Sequence, residues 1–234
     1  MSHPVATATR PETRPGTIQI WSDLLCPFAH VAIHRLTVAR ERLGLTGRVH
    51  LDHHVFALEL FNGPHPRPGT DSEAVGLGQI EPGAGFRLWT AADWLYPSTV
   101  LLAAEAVQAA KTQGLGPSED LDRALRTAFW TNSRSIGHRG VILEVAEETG
   151  TVDVSALAEA LDSGRHRADV MADHAVAQTD AVNGSPHLFL PDGSDAHNPG
   201  ITVHWEGPWA AGFPVVDKHD STWAEDMLTR VSNG

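Results

Sequence analysis

Two apolar periods divide the chain, and the change from one to the other marks its elements. Thr17-Ile18-Gln19-Ile20-Trp21-Ser22 is β-branched and aromatic, which predicts a buried strand. From Phe28 onward apolar residues recur at Ala32, Leu36, Ala39 and Leu43, one face of a helix that Pro27 opens and Gly44 closes. A second strand is predicted over Val49 to Phe56. Helical periodicity returns over Ser98–Gln113, Ser118–Thr131, His138–Thr149, Ser155–Ser163 and Arg165–Val182. Two further strands, Pro186–Leu190 and Gly200–Trp205, are separated by the turn Pro191-Asp192-Gly193, and a last helix is predicted near Thr222–Val231.

Between Asn62 and Pro97 no period holds. Those 36 residues contain five prolines and six glycines, so they read as loop with short turns, and a loop of that length often acts as a lid. The order is therefore β-α-β, a helical block, then β-β-α. It predicts an α/β chain with a thioredoxin-like fold carrying an inserted all-helical subdomain: residues 17–61 and 183–234 form the sheet domain, and 62–182 the loop and helical insertion. Residues 1–16 hold three prolines and no apolar segment, and read as a disordered leader without the apolar core of a signal peptide.

Composition narrows the partners. The chain of 234 residues has a formal net charge of −12, unsuited to coating phosphates, so no nucleic-acid partner is expected. No apolar run approaches the roughly 18–20 residues that span a bilayer, so no membrane partner is expected either. A cytoplasmic protein acting on a small molecule is the expectation, with a homodimer left open. There is one cysteine, Cys26, which excludes an internal disulfide and a four-cysteine zinc site.

Cys26 stands at the junction of the first strand and first helix. Backbone N–H groups and the positive end of the helix dipole favour a thiolate there, although free cysteines are also commonly inert and buried. His30 and His34 follow at four and eight residues, on roughly the same helical face. His30 could exchange a proton with Cys26 or a substrate, and Cys26, His30 and His34 could together ligate a metal. With 14 histidines in the chain, chance spacing serves equally well. His50 and His54 share a strand face, with the same ambiguity.

Ile20 to Phe28, with Ser22-Asp23-Leu24-Leu25-Cys26-Pro27, resembles the active-site segment of the DsbA family, in particular its cytoplasmic FrnE-like branch, where S-D-x-x-C-P-W-C is typical. Val55 to Leu60 resembles the second strand and its exit, Thr127 to Leu143 the inserted helical domain, and Val182 to Phe189 the loop carrying a cis-proline opposite the cysteine. The resemblance implies that Pro186 is cis and that Ser185 offers its backbone to an extended thiol ligand, so Ser185→Ala is expected to be mild. It departs at Ala29, where redox members have their second cysteine. Related 2-hydroxychromene-2-carboxylate isomerases and kappa-class glutathione transferases have also lost the dithiol.

The resemblance thus implies an enzyme using Cys26, with His30, and an external glutathione- or mycothiol-like thiol for reduction, thiol transfer or isomerisation, as in natural-product tailoring; no metal is expected. Ser22, Asp23, Pro27, Phe28, Ser185 and Pro186 are the expected thiol- or substrate-binding residues, with Trp94 and Trp130 adding aromatic surface. Trp89, Tyr96 and Phe129 share that expectation with core packing, and Arg134 could meet a carboxylate. A non-redox binding or chaperone-like module and a His/Cys metal-dependent protein are the alternatives.

Overall fold

In a computed structural model, which describes residues 10–208 and 212–233, β1 (Thr17–Ser22) leads into α1 (Pro27–Arg42) and β2 (His50–Val55). Then come α2 (Glu59–Asn62), α3 (Arg67–Ile80), α4 (Leu101–Ala110), α5 (Leu115–Trp130), α6 (Arg139–Thr149), α7 (Val154–Ser163) and α8 (Arg167–Ala177). The chain returns as β3 (His187–Phe189), β4 (Asp195–His197), β5 (Ile201–Glu206) and β6 (Phe213–His219), and ends in α9 (Trp223–Asn233). The main sheet has the order β2-β1-β3-β4, with β1 parallel to β2 and antiparallel to β3.

Strand alternation sends Ile18 and Ile20 to one face, where they meet Leu36 of α1 and Leu228 of α9. On the other face Trp21 packs with Phe56 and Phe189, and α5 and α8 lie against β2. The helices between β2 and β3 bury their own core around Leu121, Leu125, Phe129, Ile142 and Leu157. Asp153 caps α7 by accepting the Ala156 N–H at 3.0 Å.

Three expectations need correction. The segment 62–97 is not mostly loop: it contains α3, 14 residues long. Pro66 stands at its N-cap and Pro68 in its first turn, where a missing N–H costs nothing. Gly76 lies inside it because a Cβ there would approach the Pro214 carbonyl oxygen of β6 to 2.7 Å. Next, the predicted strand Gly200–Trp205 does not join the main sheet. It forms a separate hairpin with the unforeseen β6, and the sheet's fourth strand is the short β4. Finally, only residues 1–9 of the expected disordered leader lie outside the described residues; Arg10 pairs with Asp195 at 3.0 Å and its guanidinium covers the Phe189 ring.

Candidate active site

Cys26 is the residue just before α1, in extended conformation (φ −81°, ψ 115°), and Pro27 begins the helix. The loop that delivers it is braced from below. Arg126 of α5, 1% exposed, donates from Nη1 to the Asp23 carbonyl at 2.9 Å and from Nη2 to Ser22 Oγ at 2.9 Å, while Asp122 pairs with its Nε at 2.7 Å. Trp130 Nε1 donates to the Leu24 carbonyl at 3.2 Å. Asp23 closes the loop from above: its carboxylate accepts the N–H groups of Leu25 at 2.7 Å and Leu58 at 2.8 Å.

The Ser185–Pro186 peptide bond is cis, and the loop it belongs to meets the cysteine directly. The Cys26 thiol donates to the Ser185 carbonyl at 3.1 Å, and Ser185 Oγ accepts the Asp23 N–H at 2.9 Å. The Ser185 side chain is thus part of the brace, a role the expectation of a mild Ser185→Ala change did not include.

A cleft of about 700 Å³ opens beside the thiol. Pro27 and Phe28 of α1 form one wall, residues 61–73 the opposite one, and Asn183 to Ser185 with Asn198 and Val203 the end. Three of the six expected binding residues, Pro27, Phe28 and Ser185, line it directly; Ser22 and Asp23 lie beneath, and the Pro186 carbonyl accepts the Asn198 N–H at 2.9 Å. The 62–97 segment does wall the cleft, but through α3 and the turn before it.

The electrostatics differ from those expected of a cysteine at a helix start. Burial pushes the Cys26 thiol up to about 12, outweighing its contacts with Ser185 and the Ala29 amide, and the charges of Glu73 and Asp23 push the same way. The thiol is therefore protonated at neutral pH, which corrects the expected low-pKa thiolate.

Two residues not foreseen from sequence stand on the opposite wall. Burial raises the Glu73 carboxyl to about 7, only partly countered by His65. His65 Nε2 lies 3.6 Å from Asp23 Oδ2; burial disfavours its charge, but the carboxylate outweighs burial and raises its pKa. The Pro64-His65-Pro66 triplet was the only local signal for them.

The remaining expectations separate. His30 turns away from the cysteine: Nε2 lies 2.7 Å from the Ala84 carbonyl, and its ring packs on Phe86 and Trp130. His34 faces Glu81 at 3.8 Å, so Cys26, His30 and His34 do not converge, and no metal-holding group of three such side chains exists among the described residues. His50 pairs with Glu119 at 3.3 Å and His54 with Asp173 at 2.9 Å. Trp130 is core, with Trp89 and Phe129, and Tyr96 packs against them. Trp94, 81% exposed, is outside the cleft wall, and Arg134 pairs with Glu144 and Glu148.

His30 makes acid stability testable. Burial lowers its pKa from 6.5 to about 4, so the unfolded chain binds the proton first. The stability held in the neutral ring is complete above about pH 6.5 and is lost as the pH falls toward about 4. The whole difference is worth about 3 kcal/mol, of which about 2 kcal/mol is gone at pH 5. Denaturant titrations should therefore show His30→Gln closing on the wild type by about 2 kcal/mol between pH 7.5 and 5. A gap independent of pH would contradict the assignment.

A four-stranded mixed sheet, a helical insertion and a cysteine heading the first helix opposite a cis-proline define a thioredoxin-like protein of the thiol-active type. The chain belongs to the DSBA-like thioredoxin domain family, whose profile matches residues 17–204. That family comprises thiol oxidoreductases and isomerases, and the chain is an enzyme of that kind.

No curated protein matches the chain in sequence. Among solved structures, a probable DsbA oxidoreductase from Streptomyces coelicolor is 19% identical with a TM-score of 0.63, covering 93% of this chain and 90% of its own. The cytosolic disulfide reductase DsbM from Pseudomonas aeruginosa is 18% identical with a TM-score of 0.60, covering 93% and 95%. DsbM determined with GSH aligns at 16% identity and a TM-score of 0.53, covering 93% and 96%. A 2-hydroxychromene-2-carboxylate isomerase is 18% identical with a TM-score of 0.52, covering 77% and 87%. At these identities the likeness is one of fold.

Proposed function

We propose that this chain is a cytoplasmic, FrnE-like enzyme that uses Cys26, together with a low-molecular-weight thiol from solution, on a small electrophilic or aromatic metabolite, in the manner of a natural-product tailoring step. The observation that carries this reading is the Cys26 thiol in the wall of a 700 Å³ cleft, held against the Ser185 carbonyl, with Ala29 where a second thiol would stand. The sequence holds no second cysteine to resolve a mixed disulfide, so the resolving thiol comes from outside. The GSH in the DsbM structure and the cytosolic location in that protein's name support a small thiol and the compartment.

In the exchange step Cys26 gives its proton to solvent and attacks one sulfur of a small disulfide. The disulfide's S–S bond breaks, a Cys26–S–S–R bond forms, and the other half leaves as thiolate. A second small thiolate then attacks the mixed disulfide, releasing a new disulfide and regenerating Cys26. Pro27, Phe28 and Ser185 hold the ligand, and Glu73 and His65, not His30, are the titratable side chains that face it.

Protein purified without reductant and then incubated with small disulfides is expected to gain one thiol adduct on Cys26 by intact mass, removed by dithiothreitol. Complete absence of adducts over a range of disulfides would overturn covalent use of the thiol. One observation favours a second reading, a binding module that kept the cleft but not the chemistry: burial pushes the Cys26 thiol up to about 12.

A further inference from the structure

The cleft beside Cys26 contains no lysine or arginine among its described lining residues. The residues outside the description, 1–9, 209–211 and 234, include none either. Its titratable groups other than the cysteine are His65, Glu73 and His197. His65 is already faced by Asp23, and burial, with His187 nearby, lowers the pKa of His197 and keeps it neutral. Arg67, in the adjoining hollow across His65, is engaged by Asp71, Asp93 and the Trp89 carbonyl. Arg126 is closed under the Cys26 loop by Asp122. Glu73 makes no hydrogen bond or close ion pair with a described residue and is only partly countered by His65, so above about pH 7 the one charge in the cleft without a close partner is negative.

Glutathione presents two carboxylates and one ammonium. Neither carboxylate would find an unpaired cation here, since His65 is already faced by Asp23, and each would share the cleft with the like charge of Glu73. We infer that this cleft selects thiols and disulfides bearing an amine or no charge, the amine facing Glu73, and discriminates against the glutathione type. This rests on the reading that Cys26 reacts with small sulfur compounds, and it names their class.

Methanethiosulfonates of different charge test it on the intact protein. The Cys26 thiolate attacks the sulfenyl sulfur and a disulfide forms. The thiosulfonate S–S bond breaks, methanesulfinate leaves with the electron pair, and the thiol proton goes to buffer. Rates for the trimethylammonioethyl, sulfonatoethyl and uncharged methyl reagents are each divided by the rate with free 2-mercaptoethanol. At about pH 8, where Glu73 is ionised, the cationic reagent is expected to exceed the anionic one by roughly tenfold or more at low salt, an advantage that shrinks at about 1 M salt. Glu73→Gln, referred to the uncharged reagent, is expected to remove most of it. A ratio near one, a preference for the sulfonate, or an unchanged ratio in Glu73→Gln with no salt dependence in the wild type would overturn the inference. Failure of all three reagents to react would instead overturn the reading it rests on, and the inference with it.

Discussion

Arg126→Met is expected to destabilise the protein by about 3–5 kcal/mol, a loss of roughly 6–20 °C in melting temperature for a chain of this size. The reason is what the guanidinium leaves behind. Asp122 would remain as a buried carboxylate without its guanidinium, Ser22 Oγ would lose its donor, and the Asp23 carbonyl would keep only the Cys26 N–H. Arg126→Lys should recover only part of the loss, because an ammonium cannot present the planar fork that serves the carboxylate and the loop together. Arg126→Met combined with Asp122→Leu should be more stable than Arg126→Met alone, since the stranded charge is gone. Thermal melts that place Arg126→Met within about 1 kcal/mol of the wild type would contradict the central position given to this pair.

Cys26→Ser is expected to abolish turnover while leaving ligand affinity nearly intact. The serine hydroxyl is close in size to the thiol and can donate to the Ser185 carbonyl, but it cannot form the mixed disulfide. Isothermal titration beside single-turnover assays separates the two quantities. Activity retained in Cys26→Ser would show that the cysteine does no covalent work and favour isomerase-like activation of a bound thiol. Equal binding by both forms with no turnover in either would support the binding-module reading, which the buried, raised thiol already favours. Under the enzymatic reading, a bound ligand must supply the stabilisation that burial withholds from the thiolate.

How far the site could be read without coordinates differs from residue to residue. Ile18 and Ile20 announce a buried strand, and Pro27 announces a helix start, because alternation and proline geometry are local properties of the backbone. Cys26 and Ala29 are equally legible, since the number and order of thiols in a chain do not depend on packing. The composition of residues 62–97 misled, because proline is harmless in a first helical turn and a glycine can sit in a helix where another strand presses against it. Gly76 beneath Pro214 is such a case.

His30 shows the opposite failure. Its spacing from Cys26 is right for contact, yet its ring is drawn to the Ala84 carbonyl and Phe86, partners from a segment more than fifty residues away. Glu73 and His65 carry no motif, and they reach the site only because α3 packs against α1.

The amino-acid sequence by itself determined that this chain has one thiol, at the mouth of a helix in a DsbA-like framework, and so cannot close a disulfide internally. Tertiary structure alone decided the state of that thiol and its company. Burial beside the Ser185 carbonyl holds it protonated, and α3 brings to the same cleft a carboxyl that burial raises and His65 only partly counters. Both are effects of desolvation, and desolvation depends on what packs around a group, which no local stretch of sequence contains.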